Sequence, residues 1–154
     1  MARRSAGILL HRPGPEGPEV LLVHPGGPFW AKRDDGAWSI PKGEYDEGEE
    51  PLAAALREFE EEIGSALAAT GGLIDLGDVR QKNRKLVTAW AAEGDVDAGA
   101  VRSNTFEMEW PPRSGRRQEF PEIDRAEWFP LACAREKLIE AQAAFVDRLE
   151  ERLR

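Results

Sequence analysis

A mixed β-sheet flanked by helices, in an α/β or α+β arrangement, is what this 154-residue sequence predicts. Three observations point there. Two short apolar runs near the start are separated by a proline- and glycine-rich stretch, as paired strands are. A helical segment with clear start and stop signals follows. Further strand-like runs then lead into an amphipathic segment at the end of the chain.

Ser5 to Arg12 and Glu19 to His24 hold the runs Gly7-Ile8-Leu9-Leu10 and Val20-Leu21-Leu22-Val23. Between them lies Arg12-Pro13-Gly14-Pro15-Glu16-Gly17-Pro18, which neither a helix nor an inner strand accommodates, so two paired strands joined by a loop are expected. From Pro25 to Gly48, glycine and proline with embedded Phe29, Trp30 and Trp38 read as a long loop containing a short strand around Trp38-Ser39-Ile40. Loops of that length tend to carry function. Pro51 to Ile63 is the best-marked helix: proline suits the first helical position, no glycine interrupts it, and Gly64 stands where a left-handed cap belongs. Leu73 to Val79, Lys85 to Ala92, Asn104 to Trp110 and Arg125 to Phe129 read as four further strands. Leu131 to Arg154 closes the chain as one long helix with Leu138, Ala141, Phe145, Leu149 and Leu153 at three- and four-residue steps. No repeat or linker divides the chain, and residues 1–154 read as a single domain.

Composition narrows the function classes. The chain is 41% hydrophobic and 32% charged, which excludes disorder as the default. Folding at this length buries about 68–70% of the surface the unfolded chain exposes. No apolar run approaches the roughly 18 residues that cross a bilayer, and Ala6 to Leu10 is too short for a signal-peptide core. The lone Cys133 forms no internal disulfide and no cysteine metal cluster, and a reducing cytoplasm is the expected compartment. Twenty-nine acids against twenty-one bases give a net charge of −8, the wrong sign for general attraction to a nucleic-acid backbone. Neither nucleic acid nor membrane is therefore expected as a partner. A small polyanionic substrate stays compatible where local cations and bound metal ions reverse the field.

Gly43 to Gly64 holds most of the chemistry. At about 100° per helical residue, Leu52, Ala55, Leu56, Phe59 and Ile63 share an arc of about 100°, and Glu58, Glu61 and Glu62 share a second arc centred roughly 120° away. One face is expected to be apolar and the other anionic. Carboxylates three and four residues apart repel, and near a helix C-terminus the dipole disfavours them further. A hard divalent cation turns that penalty into a binding site, because several carboxylate oxygens suit Mg²⁺ or Mn²⁺. The plain alternative is a solvated acidic face, the commoner use of a charge run.

The same segment places Gly43, then five residues, Glu49, then seven residues, Arg57-Glu58, Glu61-Glu62 and Gly64. These positions match the spacing of the Nudix box, which the segment resembles throughout. Phe59 takes the first aliphatic position of that pattern, and Ser65 takes the last, where a hydrophobic residue is usual. Neither departure touches a carboxylate.

The resemblance implies an α/β/α sandwich and hydrolysis of a diphosphate linked to another moiety, usually within a nucleotide, with Mg²⁺ or Mn²⁺. By position, Glu58, Glu61 and Glu62 become the metal-binding and water-activating carboxylates, with Glu49 an outer candidate. Arg57 would hold a glutamate in place through a salt bridge, and Gly43 would let the loop backbone approach a metal. The family varies in which glutamate acts as general base. Glu58 is taken here, with Glu61 and a later-strand glutamate as rivals. Alternation puts Glu107 and Glu109 on one face of the strand Thr105 to Trp110, although a solvent-facing edge explains them equally. Glu119 and Glu122, in a loop before the last strand, form a second pair.

Trp38-Ser39-Ile40-Pro41-Lys42-Gly43 resembles the Trp-x-x-Pro-Lys-Gly lead-in of Nudix enzymes acting on dinucleoside polyphosphates and diphosphoinositol polyphosphates, which makes Lys42 a phosphate contact. Arg80, Lys82, Arg84 and Lys85 form the densest cationic stretch, and an extended backbone would align Arg80, Lys82 and Arg84 for distal phosphates; a solvated hairpin turn is the alternative. Arg113, Arg116 and Arg117 make a second cationic loop. Trp30, in the most irregular stretch, is the candidate for stacking on a base, whereas Trp90, Trp110 and Trp128 are read as packing. His11 and His24 are too isolated in sequence to receive a role.

The leading reading is thus a metal-dependent pyrophosphohydrolase for a nucleoside polyphosphate, with dinucleoside polyphosphates favoured by the lead-in, acting as monomer or homodimer. A Nudix-like module that binds a nucleotide without cleaving it is the alternative, although such modules commonly lose box glutamates and this chain keeps them all. A structural protein with a wet acidic helix would require the spacing to be accidental.

Overall fold

The computed structural model describes residues 3–68 and 72–154. Its elements are β1 (Arg4–Gly14), β2 (Gly17–Pro25), β3 (Lys42–Glu44), α1 (Pro51–Ile63), β4 (Ile74–Arg80), β5 (Leu86–Glu93), β6 (Thr105–Glu109), β7 (Arg117–Pro121), β8 (Ile123–Pro130), α2 (Leu131–Lys137) and α3 (Ala143–Arg152). Short 3₁₀ turns lie at Ala98–Ala100 and Glu140–Gln142. The main sheet runs β4-β5-β1-β2-β8, and β3 pairs with the start of β1. β1 and β5 are parallel while the other pairings are antiparallel, so the sheet is mixed as predicted. β6 and β7 form a separate two-stranded ribbon.

Continuous apolar runs in β1 and β2 mean that both faces of the sheet are covered. Ala6, Ile8, Leu10, Leu21 and Val23 pack against Ala54, Ala55, Phe59 and Ile63 of α1. The alternate residues Leu9, Val20 and Leu22 pack against Leu131, Ala134, Phe145, Val146 and Leu149 of α2 and α3 on the other side. The period-two alternation of the strands therefore sorts one sequence run into two cores.

Several sequence expectations are corrected. Strand pairing continues through the proline-rich stretch to Pro13↔Pro18 and Gly14↔Gly17, leaving only Pro15-Glu16 as the turn. The prolines are tolerated because pairing of β1 with β5 ends at His11, so this part of the hairpin is sheet edge. The short strand of the long loop lies at Lys42–Glu44, while Trp38 and Ser39 make isolated bridges only. Arg117–Pro121, read as loop, is a strand held by β6.

The terminal helix is broken. Leu138 is extended (ψ 149), and Trp38 N–H donates to Lys137 O while Ile139 N–H donates to Trp38 O, so the chain leaves α2 to pair with the long loop. Gln142 is buried in the following turn, accepting from Ile40 N–H and donating to Ser39 Oγ and Gln81 Oε1. Apolar spacing passed over this break because Leu138 and Phe145 enter the same core.

The apolar arc assigned to α1 is also rotated. Leu56 is 36% exposed while Ala54 is buried, so the inward face is centred nearer Ala55 and Glu62 than Leu52 and Leu56. The anionic residues therefore do not lie opposite the packed face.

Candidate active site

Gly64 ends α1 with φ 89, and its N–H donates to Glu60 O, which fixes the last turn carrying the glutamates. The lead-in runs alongside. Lys42–Glu44 pairs with Ser5 to Gly7 of β1, and Lys42 N–H donates to Glu62 Oε1 at 3.1 Å. A Cβ on Gly43 would stand 2.0 Å from the carboxyl carbon of Glu58, so the glycine leaves the space that this carboxylate fills. A Cβ on Gly7 would meet Pro41 O at 2.5 Å, which lets the lead-in sit directly on β1.

Arg57 organises the outer rim. Its Nε and Nη2 bond both oxygens of Glu49 at 2.9 and 3.0 Å, and its Nη1 reaches Glu58 Oε1 at 2.8 Å and Glu61 Oε1 at 3.3 Å. The guanidinium holds the Glu49 carboxyl below its ordinary range through those hydrogen bonds, and is itself held more firmly protonated.

Deeper in, the electrostatics reverse. Burial, chiefly, pushes Glu62 up to about 8, against the Lys42 N–H and ammonium, with the charges of Glu58 and Glu122 adding to the rise. Glu58 is raised as well, first by burial and then by Glu61 and Glu122, with Arg57 opposing. Negative charge from a second region of sequence, at Glu122, thus raises the cost of ionising both Glu58 and Glu62. Glu122 follows β7 directly and is tied in by Gly26 N–H, which donates to Glu122 O. It is one of the second pair named from the sequence by its place before the last strand, and it stands next to the β8 residue that pairs with Pro25.

Lys42 lies among these groups. Its pKa is lowered by burial and by Lys85, and supported by Glu62, Glu44 and Glu58. Lys85 itself lies 3.5 Å from Glu44. Lys85 ends a tight turn in which Gln81 N–H donates to Lys85 O and Arg84 N–H donates to Gln81 O. The backbone from Arg80 to Arg84 is therefore not extended, and the alignment expected of Arg80, Lys82 and Arg84 does not occur. Arg84 instead takes φ 68 in the turn.

Arg80, Lys82 and Asn83 line a cleft of about 650 Å³ with Trp30, Arg33 and Ile139. Two separate candidate groups, the cationic stretch and the loop tryptophan, thus meet on one surface. The Arg33 guanidinium lies 5.3 Å from the centre of the Trp30 ring. Ile139 belongs to the linker between α2 and α3, so this cleft opens on the sheet face opposite α1.

Other candidates lie elsewhere. On the ribbon, Glu107 faces Arg117 at 3.5 Å, Glu109 accepts from Arg113 N–H, and Glu119 pairs across from Glu107. Arg113 and Arg116 are exposed in the ribbon's turn. Phe29 packs edge-on against Trp110, and Trp38 is buried against His24 and Phe129.

The donor chemistry suits a hard divalent cation: carboxylate oxygens only, partly buried, mutually repelling, with Lys42 as the nearby counter-charge. Arg57 engages Glu58 and Glu61, and among the described residues no three acidic, histidine or cysteine side chains are grouped so that together they could hold a metal ion. Glu58 and Glu62, both under the charge of Glu122, are carboxylates of the kind that Mg²⁺ supplements with water and phosphate oxygens.

A family model for the NUDIX domain matches residues 1–149. An RNA pyrophosphohydrolase of Brucella anthropi is 32% identical over 146 residues, 78% of this chain and 78% of its own. One from Agrobacterium fabrum is 28% identical over 84% of this chain and 85% of its own. Among solved structures, a C. elegans Ap4A hydrolase in a binary complex superposes with a TM-score of 0.67 at 21% identity, covering 97% of both chains. The NUDIX domain of Shewanella oneidensis NrtR complexed with ADP ribose gives 0.66 at 16% identity, covering 100% of this chain and 90% of that one. These superpositions speak to the fold.

Proposed function

The chain belongs to the Nudix domain family and is a hydrolase of phosphoric anhydride bonds; from that premise we propose a divalent-cation-dependent pyrophosphohydrolase acting on a nucleoside polyphosphate, with dinucleoside polyphosphates as the favoured class. The observation that carries the reading is the half-buried pair Glu58 and Glu62 of α1 beside Lys42, with the exposed Glu122 adding negative charge to both, an arrangement that a divalent cation relieves.

When bound, Mg²⁺ or Mn²⁺ supplies charge neutralisation of the phosphates and Lewis acidity. The chain's own residues do the rest. Glu62 and Glu58 would hold the cation, with Glu61 at the rim. Glu58, whose proton affinity is raised by burial, accepts the proton of the attacking water. Arg57 keeps Glu58 and Glu61 oriented through Nη1 and is itself anchored by Glu49. Lys42 meets a phosphate next to the acids. Lys85 continues that cationic path, and its turn leads to Arg80 and Lys82 in the cleft, where Trp30 offers an aromatic face. A polyphosphate with nucleoside ends suits such a path, and about 650 Å³ is within the range of small-ligand sites.

RNA bearing a 5′-polyphosphate is the second reading, favoured by the relatives of 32% and 28% identity. A net charge of −8 argues against gripping a long backbone, not against seating one phosphorylated end. The test is a panel of ATP, diadenosine tetraphosphate, ADP-ribose and 5′-triphosphorylated RNA, incubated with Mg²⁺, Mn²⁺ or chelator and separated by chromatography. Turnover of diadenosine tetraphosphate above the others, abolished by chelator, is expected. Faster turnover of the RNA selects the second reading, and metal-independent hydrolysis contradicts the assigned chemistry.

A further inference from the structure

His24 has no part in the chemistry above, yet it is wholly buried with both ring nitrogens engaged. It stands near the end of β2, edge-on to Trp38 with ring centres 5.1 Å apart. Its Nε2 lies 2.6 Å from Arg33 O and its Nδ1 lies 2.9 Å from Asp124 Oδ1. A carbonyl oxygen only accepts, so Nε2 carries a hydrogen and donates it to Arg33. The contact with Asp124 is a second hydrogen bond, whichever partner carries its proton.

This imidazole, on β2, connects two parts of the chain that the proposed reaction uses separately. Arg33 and Trp30 form one wall of the cleft, and the guanidinium lies over the indole. Asp124 lies in β8, two residues after Glu122. Along this loop, Gly26 N–H donates to Glu122 O, Trp30 N–H to Gly27 O and Arg33 N–H to Trp30 O, and Phe29 packs on Trp110; the remaining ties act further along: Trp38 Nε1 donates to Asp34, Lys137 pairs with Asp34 and Asp35, and Gly36 N–H donates to Glu136 O. Those further ties lead to Trp38 and α2, whereas His24 fixes Arg33 to the paired strands β2 and β8.

We propose that His24 is a positioning residue for substrate capture, holding the Trp30–Arg33 wall against the end of the sheet so that its aromatic and cationic groups are in place before a nucleotide arrives. A wall fixed in advance saves the cost of ordering it on binding. The inference rests on the reading of the cleft as the nucleotide site.

Two substitutions separate the contacts. His24→Phe keeps a ring and removes both hydrogen bonds, whereas His24→Gln places an amide N–H near the Nε2 position. Hydrogen exchange over residues 28–34, calorimetric titration with AMP in chelator, and steady-state kinetics on diadenosine tetraphosphate with Mg²⁺ are compared with wild type. In His24→Phe, amide protection of the loop falls, AMP binds about tenfold more weakly and KM rises about tenfold, a loss of the size expected when the buried tie to Arg33 O, the one that holds the wall, is removed, while kcat stays within about twofold. His24→Gln recovers most of the affinity. Unchanged protection, or unchanged AMP affinity and KM in folded His24→Phe, overturns the proposal, as does a loss confined to kcat. Asp124→Asn, on a partly exposed side chain, weakens the Nδ1 contact alone and shifts AMP affinity in the same direction by less; it decides the matter if His24→Phe does not fold. Wild-type protein that binds no AMP refutes the cleft reading itself, and the role of His24 with it.

Discussion

Glu62 carries the heaviest electrostatic burden in the site. Its carboxyl is pushed up to about 8 by burial, so between the ordinary value of 4.5 and about 8 the folded chain holds a proton that the unfolded chain has released. The folded state binds more protons across that window, and metal-free stability therefore falls as pH rises through it. Glu62→Gln removes the buried charge. It is expected to unfold at a higher temperature than wild type at pH 8 without metal, with the difference vanishing near pH 4, while lowering kcat by at least about 100-fold with Mg²⁺. A variant less stable than wild type at pH 8 contradicts the assignment.

Gly43 makes a separate case. Glu58's flexible carboxyl end is what a Cβ at Gly43 would strike, so Gly43→Ala is expected to displace that side chain rather than unfold the chain. Activity then drops by about 10- to 100-fold with a melting temperature close to wild type, checked by kinetics and calorimetry. At this scale the box residues were legible because spacing alone identifies them. Glu122 was legible only as one of a second-ranked pair and His24 received no role, because what matters about each is its through-space neighbours: Glu58 and Glu62 for one, Asp124 and Arg33 for the other.

Among the elements, α1 was readable to the residue at both ends, since Pro51 and Gly64 are backbone signals independent of the rest of the fold. Its rotation was not, because apolar spacing weighs Leu56 and Ala54 by hydrophobicity alone. Small Ala54 and Ala55 let α1 lie close to β1 and bring Glu62 toward the lead-in, which leaves Leu56 at the margin. The same limit explains the terminal helix. A polar Gln142 is what interrupts it, by satisfying Ile40 N–H and linking Ser39 to Gln81. Gln142→Leu leaves the buried Ile40 N–H without that acceptor and is expected to cost about 1–3 kcal/mol in urea unfolding. A change within about 0.5 kcal/mol would show that the turn is held by its apolar neighbours instead.

Across the whole molecule, both proposed sites sit at the end of the sheet where β1 and β2 part. β3 takes the place of β2 beside Ser5 to Gly7, while β2 pairs with β1 from His11 onward and its end turns to Ser39 and β8. That opening brings Lys42 and Gly43 between α1 on one face and the cleft on the other. Layering was legible from apolar runs of two-sided strands. The opening was not, because it depends on which residues of β1 choose β3 over β2, a question of pairing rather than of local pattern. The β6–β7 ribbon went partly unread for a similar reason: Arg117 to Pro121 has little apolar pattern of its own and is a strand by virtue of its partner.

The most direct test of the cation centre is anomalous diffraction at the manganese edge from crystals soaked in MnCl₂ at pH 8, where Glu58 and Glu62 ionise in the presence of the ion. A peak within bonding distance of Glu58 and Glu62 carboxylate oxygens, absent from Glu62→Gln crystals, is the predicted result. A featureless map there, with Glu58 still bonded to Arg57 and Glu62 still accepting from Lys42 N–H, would contradict the account.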